Sequence, residues 1–153
     1  MKKLLPLVAA ALAVAAPSAS AAAKAGSYSG RTDADESITF RVAKGKLTTV
    51  SARFTTVCAN PNDPADPLLV TLKPKPSLLG VSAKVKANGS FSFKTSGETA
   101  AQNGLIVTTF KGRAARSGKV KGTLRVQFPA STAGYDDYGD CDTGAIAFTA
   151  RRR

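Results

Sequence analysis

Apolar and polar residues alternate along most of the chain beyond residue 24. In residues 37–42, Ile38, Phe40 and Val42 fall on one side of an extended backbone, and polar residues fall on the other. Residues 119–128 keep the alternation over ten positions, a period of two that an α-helix cannot hold on one face. The pattern therefore predicts β-strands with one buried side and one solvent-exposed side.

Turn residues separate the alternating segments. Asn88-Gly89 lies between residues 81–86 and 91–94 and predicts a hairpin, because both turn residues tolerate positive φ. Arg116-Ser117-Gly118 is expected to join a strand at residues 105–110 to the ten-residue strand. The other predicted strands are an edge strand with Tyr28 packed inward, a briefly pairing segment and a closing strand, at residues 26–30, 68–72 and 145–150.

Two segments depart from simple alternation. Residues 46–58 are long for one strand, and their pattern slips between Leu47 and Val50. We expect a β-bulge near Thr48-Thr49, which bends the segment so that it serves both layers of a sandwich or a barrel corner. The prolines of residues 60–67 exclude a helix and a central strand, which leaves an ordered loop or a polyproline-like crossover.

These elements predict an all-β fold. About eight short strands with frequent Gly, Asn and Pro turns are typical of an antiparallel sandwich or of a small closed or half-open barrel, and the pattern does not choose between them. Residues 24–153 have the length of a single domain.

The first 23 residues have a different pattern. Two lysines precede an apolar stretch, and small residues follow at positions 17–23, which predicts a signal peptide cleaved after Ala21 or Ala23. The alternative is a retained anchor, but a spanning helix needs about 20 strongly apolar residues, and this stretch is rich in alanine and interrupted by proline. We expect a secreted or cell-envelope protein with no stable membrane span after cleavage.

That compartment bears on the two cysteines, Cys58 and Cys141. In an exported chain an even pair predicts a disulfide, whereas two free thiols would be expected in the cytoplasm. The chain contains no histidine, so a zinc site lacks its usual ligands, and no cofactor is expected.

The net charge of +12 points to an anionic partner. Cations occupy polar positions of the alternating strands, which predicts a basic face for anionic envelope polymers. The alternative is a solvated surface whose lysines protect strand edges. Nucleic acid is not favoured, because the aromatic residues alternate onto the opposite, buried side and leave no stacking platform. The candidate polyanion-binding residues are Lys84, Lys86, Lys94, Lys119, Lys121 and Arg125.

Residues 133–142 concentrate carboxylates and two tyrosines beside Cys141. Calcium takes several oxygen ligands from such loops, but the spacing matches no EF-hand, and the alternative is a soluble loop that pairs with cations. A second hypothesis for the whole chain is an inhibitor or ligand-capture module that uses this loop or residues 60–67. The calcium candidates are Asp136, Asp137, Asp140 and Asp142.

The composition argues against catalysis. Without histidine, Ser-His-Asp and Cys-His constellations are impossible. A glycoside hydrolase would need a carboxylic acid in apolar surroundings, and the available carboxylates lie in polar, turn-like segments. A His-free hydrolase is therefore the last alternative to non-catalytic binding. Its candidate residues would be Asp35, Glu36, Glu98, Asp136 and Asp140.

Six segments and Cys58 carry a resemblance to known proteins; the segments are residues 26–32, 38–42, 45–47, 118–124, 141–144 and 148–151. They cover most of residues 24–153 and consist of turns and strands rather than a chemical site. In these segments the chain resembles a group of uncharacterised small secreted proteins of high-GC Gram-positive bacteria. The resemblance implies a β-rich fold with paired cysteines and carries over no active-site residue.

Overall fold

The computed structural model describes residues 23–72, 82–98, 105–130 and 137–153, so the predicted signal peptide lies almost entirely outside the described residues. Within these ranges the chain forms eleven strands in one antiparallel sheet and no α-helix, which confirms the all-β prediction with more strands than expected. The strands are β1 Gly26–Thr32, β2 Ser37–Ala43, β3 Lys46–Ala52, β4 Phe54–Cys58, β5 Leu68–Leu72, β6 Ala83–Lys84, β7 Ser90–Glu98, β8 Leu105–Ala114, β9 Lys119–Pro129, β10 Asp140–Asp142 and β11 Ile146–Arg152.

The sheet curls into a half-barrel, one of the predicted architectures. Its strand order is β5-β4-β10-β9-β11-β1-β2-β3-β6, and β7 and β8 extend it from the other edge of β9. The long strand β9 is central, because one of its edges binds both β10 and β11 while the opposite edge binds β8. The first strand, β1, lies between β11 and β2, so the prediction that it is an edge strand was wrong.

The β1–β2 and β8–β9 hairpins and the turn between β6 and β7 share one type of turn. In each, a three-residue loop is closed by backbone hydrogen bonds, and its third residue has positive φ; these residues are Asp35, Gly89 and Gly118. The predicted turns at 88–89 and 116–118 are therefore confirmed, and so is the hairpin at 116–118. The predicted hairpin of residues 81–86 with 91–94 was wrong beyond its turn, because β6 pairs with β3 and β7 pairs with β8. Asn88 does not adopt positive φ as expected; instead its side chain accepts hydrogen bonds from the N–H and hydroxyl of Ser90. The strand before this turn is only Ala83–Lys84, and it pairs with β3.

The β2–β3 hairpin contains the predicted bulge. Arg41 lies opposite Thr49 and Val42 opposite Leu47, which leaves Thr48 as the extra residue on β3. The predicted long strand at residues 46–58 is interrupted at Arg53. After this interruption, β4 pairs with β5 and β10 rather than with β2. The segment therefore serves two parts of the curled sheet, through the break at Arg53 rather than through the predicted bulge.

The apolar side of the alternation fills the inside of the curl. Phe40 lies at the centre, with its ring centroid 4.9 Å from that of Tyr28, 5.8 Å from Phe110 and 6.1 Å from Phe148. Tyr28 is buried, as predicted. Burial of such a side chain stabilises a fold by about 1.5–3 kcal/mol, so this aromatic cluster is a main source of stability.

The predicted disulfide is present. Cys58 and Cys141 lie directly opposite each other on β4 and β10 and are bonded, at a sequence separation of 83. Residues 60–67 follow β4 as an ordered loop, in which the Asn60 side chain accepts hydrogen bonds from the N–H groups of Asn62 and Asp63. Among the described residues, no helix is long and apolar enough to cross a membrane.

Candidate anion-binding face

The strand register brings cations from three neighbouring strands together on the outside of the half-barrel. Arg113 of β8, Lys121 of β9, Thr149 of β11 and Arg31 of β1 lie side by side in one row across the strands. The next row contains Lys119, Arg151 and Ser29. We call the outward side chains of β8, β9 and β11 in this area the basic face: Lys111, Arg113, Lys119, Lys121 and Arg151.

Like charges lie directly opposite each other in this face. Lys119 is opposite Arg151, and Arg113 is opposite Lys121. Directly opposed residues have Cβ atoms about 4.5–5.5 Å apart, and like charges in such pairs are destabilising. Within the part of the chain that the structure describes, no carboxylate lies within ion-pair distance of Lys119, Lys121 or Arg151.

The six predicted polyanion-binding residues do not form one cluster. Lys119 and Lys121 belong to the basic face. Lys84 and Lys94 are exposed on β6 and β7, the two strands that terminate the curled part of the sheet, and Lys86 is exposed in the turn between them. Edge protection can account for Lys84 and Lys94, but not for Lys119 and Lys121, because β9 has a hydrogen-bonded strand on each side.

Arg125, the sixth predicted residue, is engaged by a carboxylate. Its Nε donates to Asp142 Oδ1 at 2.9 Å, and its Nη2 donates to Asp142 Oδ2. The hydrogen bond from Arg125 is the main reason that the pKa of Asp142 lies below its ordinary value, and the N–H of Gly144 contributes in the same direction. The charge of Arg125 is therefore balanced within the protein.

The six predicted candidates did not include three members of the basic face, Lys111, Arg113 and Arg151. Each lies at an outward position of its strand, but the alternation alone does not reveal which strands are neighbours. Arg151 joins the face only because β11 pairs with β9, the second strand before it in the sequence. The signal that could have found it is strand pairing, which periodicity does not contain.

The acidic residues are concentrated at one end of the half-barrel. The half-barrel has two ends, to which we give names. The acidic end is the one that contains the β1–β2 turn, and the basic end is the one that contains the β2–β3 turn. Every Asp and Glu among the described residues lies either in the cross-strand row of Thr32, the last residue of β1, or closer than that row to the acidic end. They are Asp33, Asp35, Glu36, Asp63, Asp66, Glu98, Asp137, Asp140 and Asp142.

Three arginines at the acidic end are paired with these carboxylates. Arg31 lies 3.6 Å from Asp35, Arg53 lies 3.8 Å from Glu36, and Arg125 contacts Asp142. The basic end instead holds lysines and arginines from turns, strand ends and the C-terminus. They include Lys24, Lys44, Lys46, Lys84, Lys86, Arg116, Lys119, Arg151, Arg152 and Arg153.

A shallow groove of about 650 Å³ crosses β9, β11 and β1 where the basic face meets the acidic end. Short outward side chains form its floor, namely Ser29, Ala147 and Thr149. Charged side chains border it, namely those of Arg31, Asp33, Lys121 and Arg151.

The predicted calcium ligands do not converge in the described structure. Asp142 is bound to Arg125, and Asp137 and Asp140 are exposed. Asp136 and Tyr135 lie outside the described residues, whereas Tyr138 packs against the core. Among the residues described, no group of three or more His, Cys, Asp or Glu side chains is placed to hold a metal ion.

The hydrolase candidates occupy polar surroundings. Asp35 and Glu36 face arginines at the acidic end, and Asp140 is exposed. The side chain of Glu98 and all of Asp136 lie outside the described part.

No protein-family model, curated protein or solved structure matches the chain.

Proposed function

We propose that this is an exported, non-catalytic protein that binds anionic envelope polymers through the basic face. The observation that supports this most strongly is the opposition of Lys119 to Arg151 on strands whose edges are already paired. Such pairs lower the stability of the free protein, and an anionic polymer would relieve the repulsion on binding.

The disulfide supports the extracytoplasmic placement. Cys58–Cys141 joins two neighbouring strands, and structural disulfides persist in oxidising compartments. The signal-peptide interpretation of residues 1–23 leads to the same compartment. There, polymers with repeated negative charges are the partners that a chain with a net charge of +12 would meet.

The basic face suits a polymer better than a single small anion. Each exposed cation contributes little alone, because salt screens it over about 10 Å at 0.1 M. The cations of the basic face are spaced across three adjacent strands, so that residues such as Lys119, Lys121 and Arg151 can contact successive charges of one polymer. Such binding releases counterions, so the affinity should fall steeply with salt.

Elution of the disulfide-bonded protein, residues 24–153, from immobilised heparin at several salt concentrations tests the proposal. The double variant Lys119→Ala/Lys121→Ala should elute at lower salt, and the slope of log affinity against log salt should fall by about 2, one per lost contact.

The matched control is Lys84→Ala/Lys94→Ala, which removes the same charge from the end strands. Its slope should stay near that of the wild type. Equal effects of the two double variants would show that binding depends on net charge alone, and the basic face would then not be the site.

A second candidate function, protein capture or inhibition by the loop at 60–67, is favoured by one observation. Val57 and Leu69 lie opposite each other on the outside of β4 and β5, next to this loop, and are 46% and 68% exposed. If they contact a target enzyme, Leu69→Ser and a shortened loop should each reduce inhibition of that enzyme without changing the unfolding midpoint. Unchanged inhibition by both variants would exclude this surface.

A further inference from the structure

The groove between the basic face and the acidic end has an unusual combination of charges. Lys121 and Arg31 flank Thr149 in one cross-strand row, and Arg151 lies two residues further along β11. Asp33 borders the same groove from the β1–β2 turn. Lys121, Arg151 and the Asp35-paired Arg31, together with one carboxylate, therefore surround a floor of short side chains.

The cations leave room for one anionic group above the floor. Neighbouring strands are about 4.8 Å apart, so the backbones that carry Lys121 and Arg31 are separated by about 10 Å. Arg31 is held in place because its Nη1 donates to the backbone carbonyl of Asp35 at 2.6 Å. The hydroxyl of Thr149 lies between the two cations and can donate to the same anion.

The carboxylate of Asp33 limits which chemical groups the rest of the ligand can place next to it. Its Oδ2 is 3.4 Å from the N–H of Ala147, and the side chain is exposed, so it has acceptor positions available for a ligand. A polymer that consists only of anionic groups would place negative charge against this carboxylate. A ligand with hydroxyl groups at that position would donate hydrogen bonds to it, and such bonds to a charged group are strong.

We propose that the groove binds one repeat of an acidic polysaccharide. The anionic group of the repeat lies among Lys121, Arg151 and Arg31, and the sugar hydroxyls donate to Asp33. This assignment rests on the proposed binding of anionic polymers by the basic face, and it narrows that class from polyanions in general to anionic sugars. In this assignment the Asp33 carboxylate at the acidic end disfavours ligands that carry only negatively charged groups.

The variant Asp33→Asn tests the proposal with two polymers, polygalacturonate and polyphosphate. Loss of the carboxylate should weaken polygalacturonate binding by about tenfold, because the charged acceptor of the sugar hydroxyls is removed. The same variant should strengthen polyphosphate binding by about two- to fivefold, because a repulsive charge is removed. The asparagine oxygen can still accept from Ala147, and circular dichroism and the unfolding midpoint verify the fold.

Asp35→Asn is the matched control. It removes a carboxylate from the same turn that does not line the groove and is the ion-pair partner of Arg31, so its loss leaves Arg31 free for the anion. This control should bind both polymers slightly more tightly than the wild type. A second readout is the salt dependence of polygalacturonate binding. The loss of affinity in Asp33→Asn should persist at high salt if it comes from a lost hydrogen bond, and it should shrink if it comes from charge alone.

The outcomes separate this inference from the proposed function. If Asp33→Asn strengthens the binding of both polymers, or behaves like Asp35→Asn, the saccharide assignment is wrong while polymer binding stands. If Lys119→Ala/Lys121→Ala leaves the affinity for both polymers unchanged, the proposed function itself is wrong. Opposite signs for the two polymers in Asp33→Asn alone would support the assignment.

Discussion

Gly122 of β9 lies directly opposite Phe148 of β11, and the Phe148 ring covers the space that a side chain at Gly122 would need. A Cβ atom at Gly122 would lie 2.6 Å from Phe148 Cζ and 2.1 Å from the Lys111 carbonyl oxygen. Gly112 lies opposite Gly122 on β8, and its Cβ would lie 2.3 Å from Cζ of Phe91. The rings of Phe91 and Phe148, from the two flanking strands, thus pack directly on the backbone of these two neighbouring glycines. This close packing allows the sheet to curl tightly around its core.

Gly122→Ala should therefore destabilise the protein. The added methyl group would displace a backbone carbonyl and an aromatic ring, and overpacking of this kind costs about 1–3 kcal/mol. Gly139→Ala is the control, since its Cβ would make ordinary contacts of 3.6 and 3.7 Å with Ala59. Urea unfolding measures both variants. If they had equal effects, the glycine pair would not be what permits the curl.

The disulfide should contribute a large part of the stability. Closure of a loop with a separation of 83 residues predicts at most about 4.5 kcal/mol from chain entropy. Cys58→Ala/Cys141→Ala should lower the free energy of unfolding by about 2–5 kcal/mol. Reductant should lower the wild-type urea midpoint and leave that of the double variant unchanged. A wild-type midpoint that is insensitive to reductant would contradict this.

Much of the local structure could be predicted from the sequence, because it depends on neighbouring residues. The slip in alternation located the bulge at Thr48, and the glycines located the turns at Gly89 and Gly118. The inward position of Tyr28 followed from its place in the alternation. These features are set by the two-residue period of a strand and by local backbone preferences.

Strand order could not be predicted in the same way. The strand β1 was expected at an edge, yet it pairs with β11 as well as with β2, and β11 is the last strand of the chain. For the same reason the candidate site was only partly foreseen. Lys119 and Lys121 were identified from alternation, but their neighbour Arg151 and the partner of Arg125 depend on which strands pair with β9.

A buried hydroxyl offers a stabilising substitution. Thr108 is 0% exposed on β8, and its Oγ1 has no hydrogen-bond partner in the described structure. Thr108→Val keeps the shape of the side chain and removes the unsatisfied group, so the free energy of unfolding should rise by about 1 kcal/mol.

The same substitution at Thr32 should have the opposite effect. Thr32 is also buried, but its Oγ1 accepts a hydrogen bond of 3.1 Å from the Glu36 N–H in the β1–β2 turn. Thr32→Val should therefore lower the free energy of unfolding by about 1 kcal/mol. Urea midpoints that moved in the same direction for both variants would contradict this explanation.

The β2–β3 turn contains a lysine in an unfavourable conformation. Lys44 has a φ of 49° and Gly45 a φ of 70°, the combination for which Asn-Gly is preferred. Lys44→Asn should raise the free energy of unfolding by about 0.5–1 kcal/mol.

Gly89→Val, in the turn between β6 and β7, should have the opposite effect. It should lower the free energy of unfolding by about 1–3 kcal/mol, because Gly89 has a φ of 77°. Thermal midpoints of the two variants should move in opposite directions, and a lower midpoint for Lys44→Asn would contradict the assigned turn.

The Arg125–Asp142 contact should make stability depend on pH in the acidic range. The hydrogen bond from Arg125 lowers the pKa of Asp142 in the folded protein, whereas an unfolded Asp has a pKa of about 3.9. The contribution of this carboxylate is therefore fully present above about pH 4 and is lost as the pH falls through the lower, folded-state value.

Asp142→Asn should accordingly be less stable than the wild type at about pH 7, and the difference should narrow as the pH falls below about 4. Asp140→Asn is the control, because it removes an exposed carboxylate two residues away without breaking a contact to Arg125. Urea midpoints of the three proteins between about pH 2 and pH 7 measure the effect. A constant difference between Asp142→Asn and the wild type over this range would mean that the ionised carboxylate of Asp142 does not stabilise the fold.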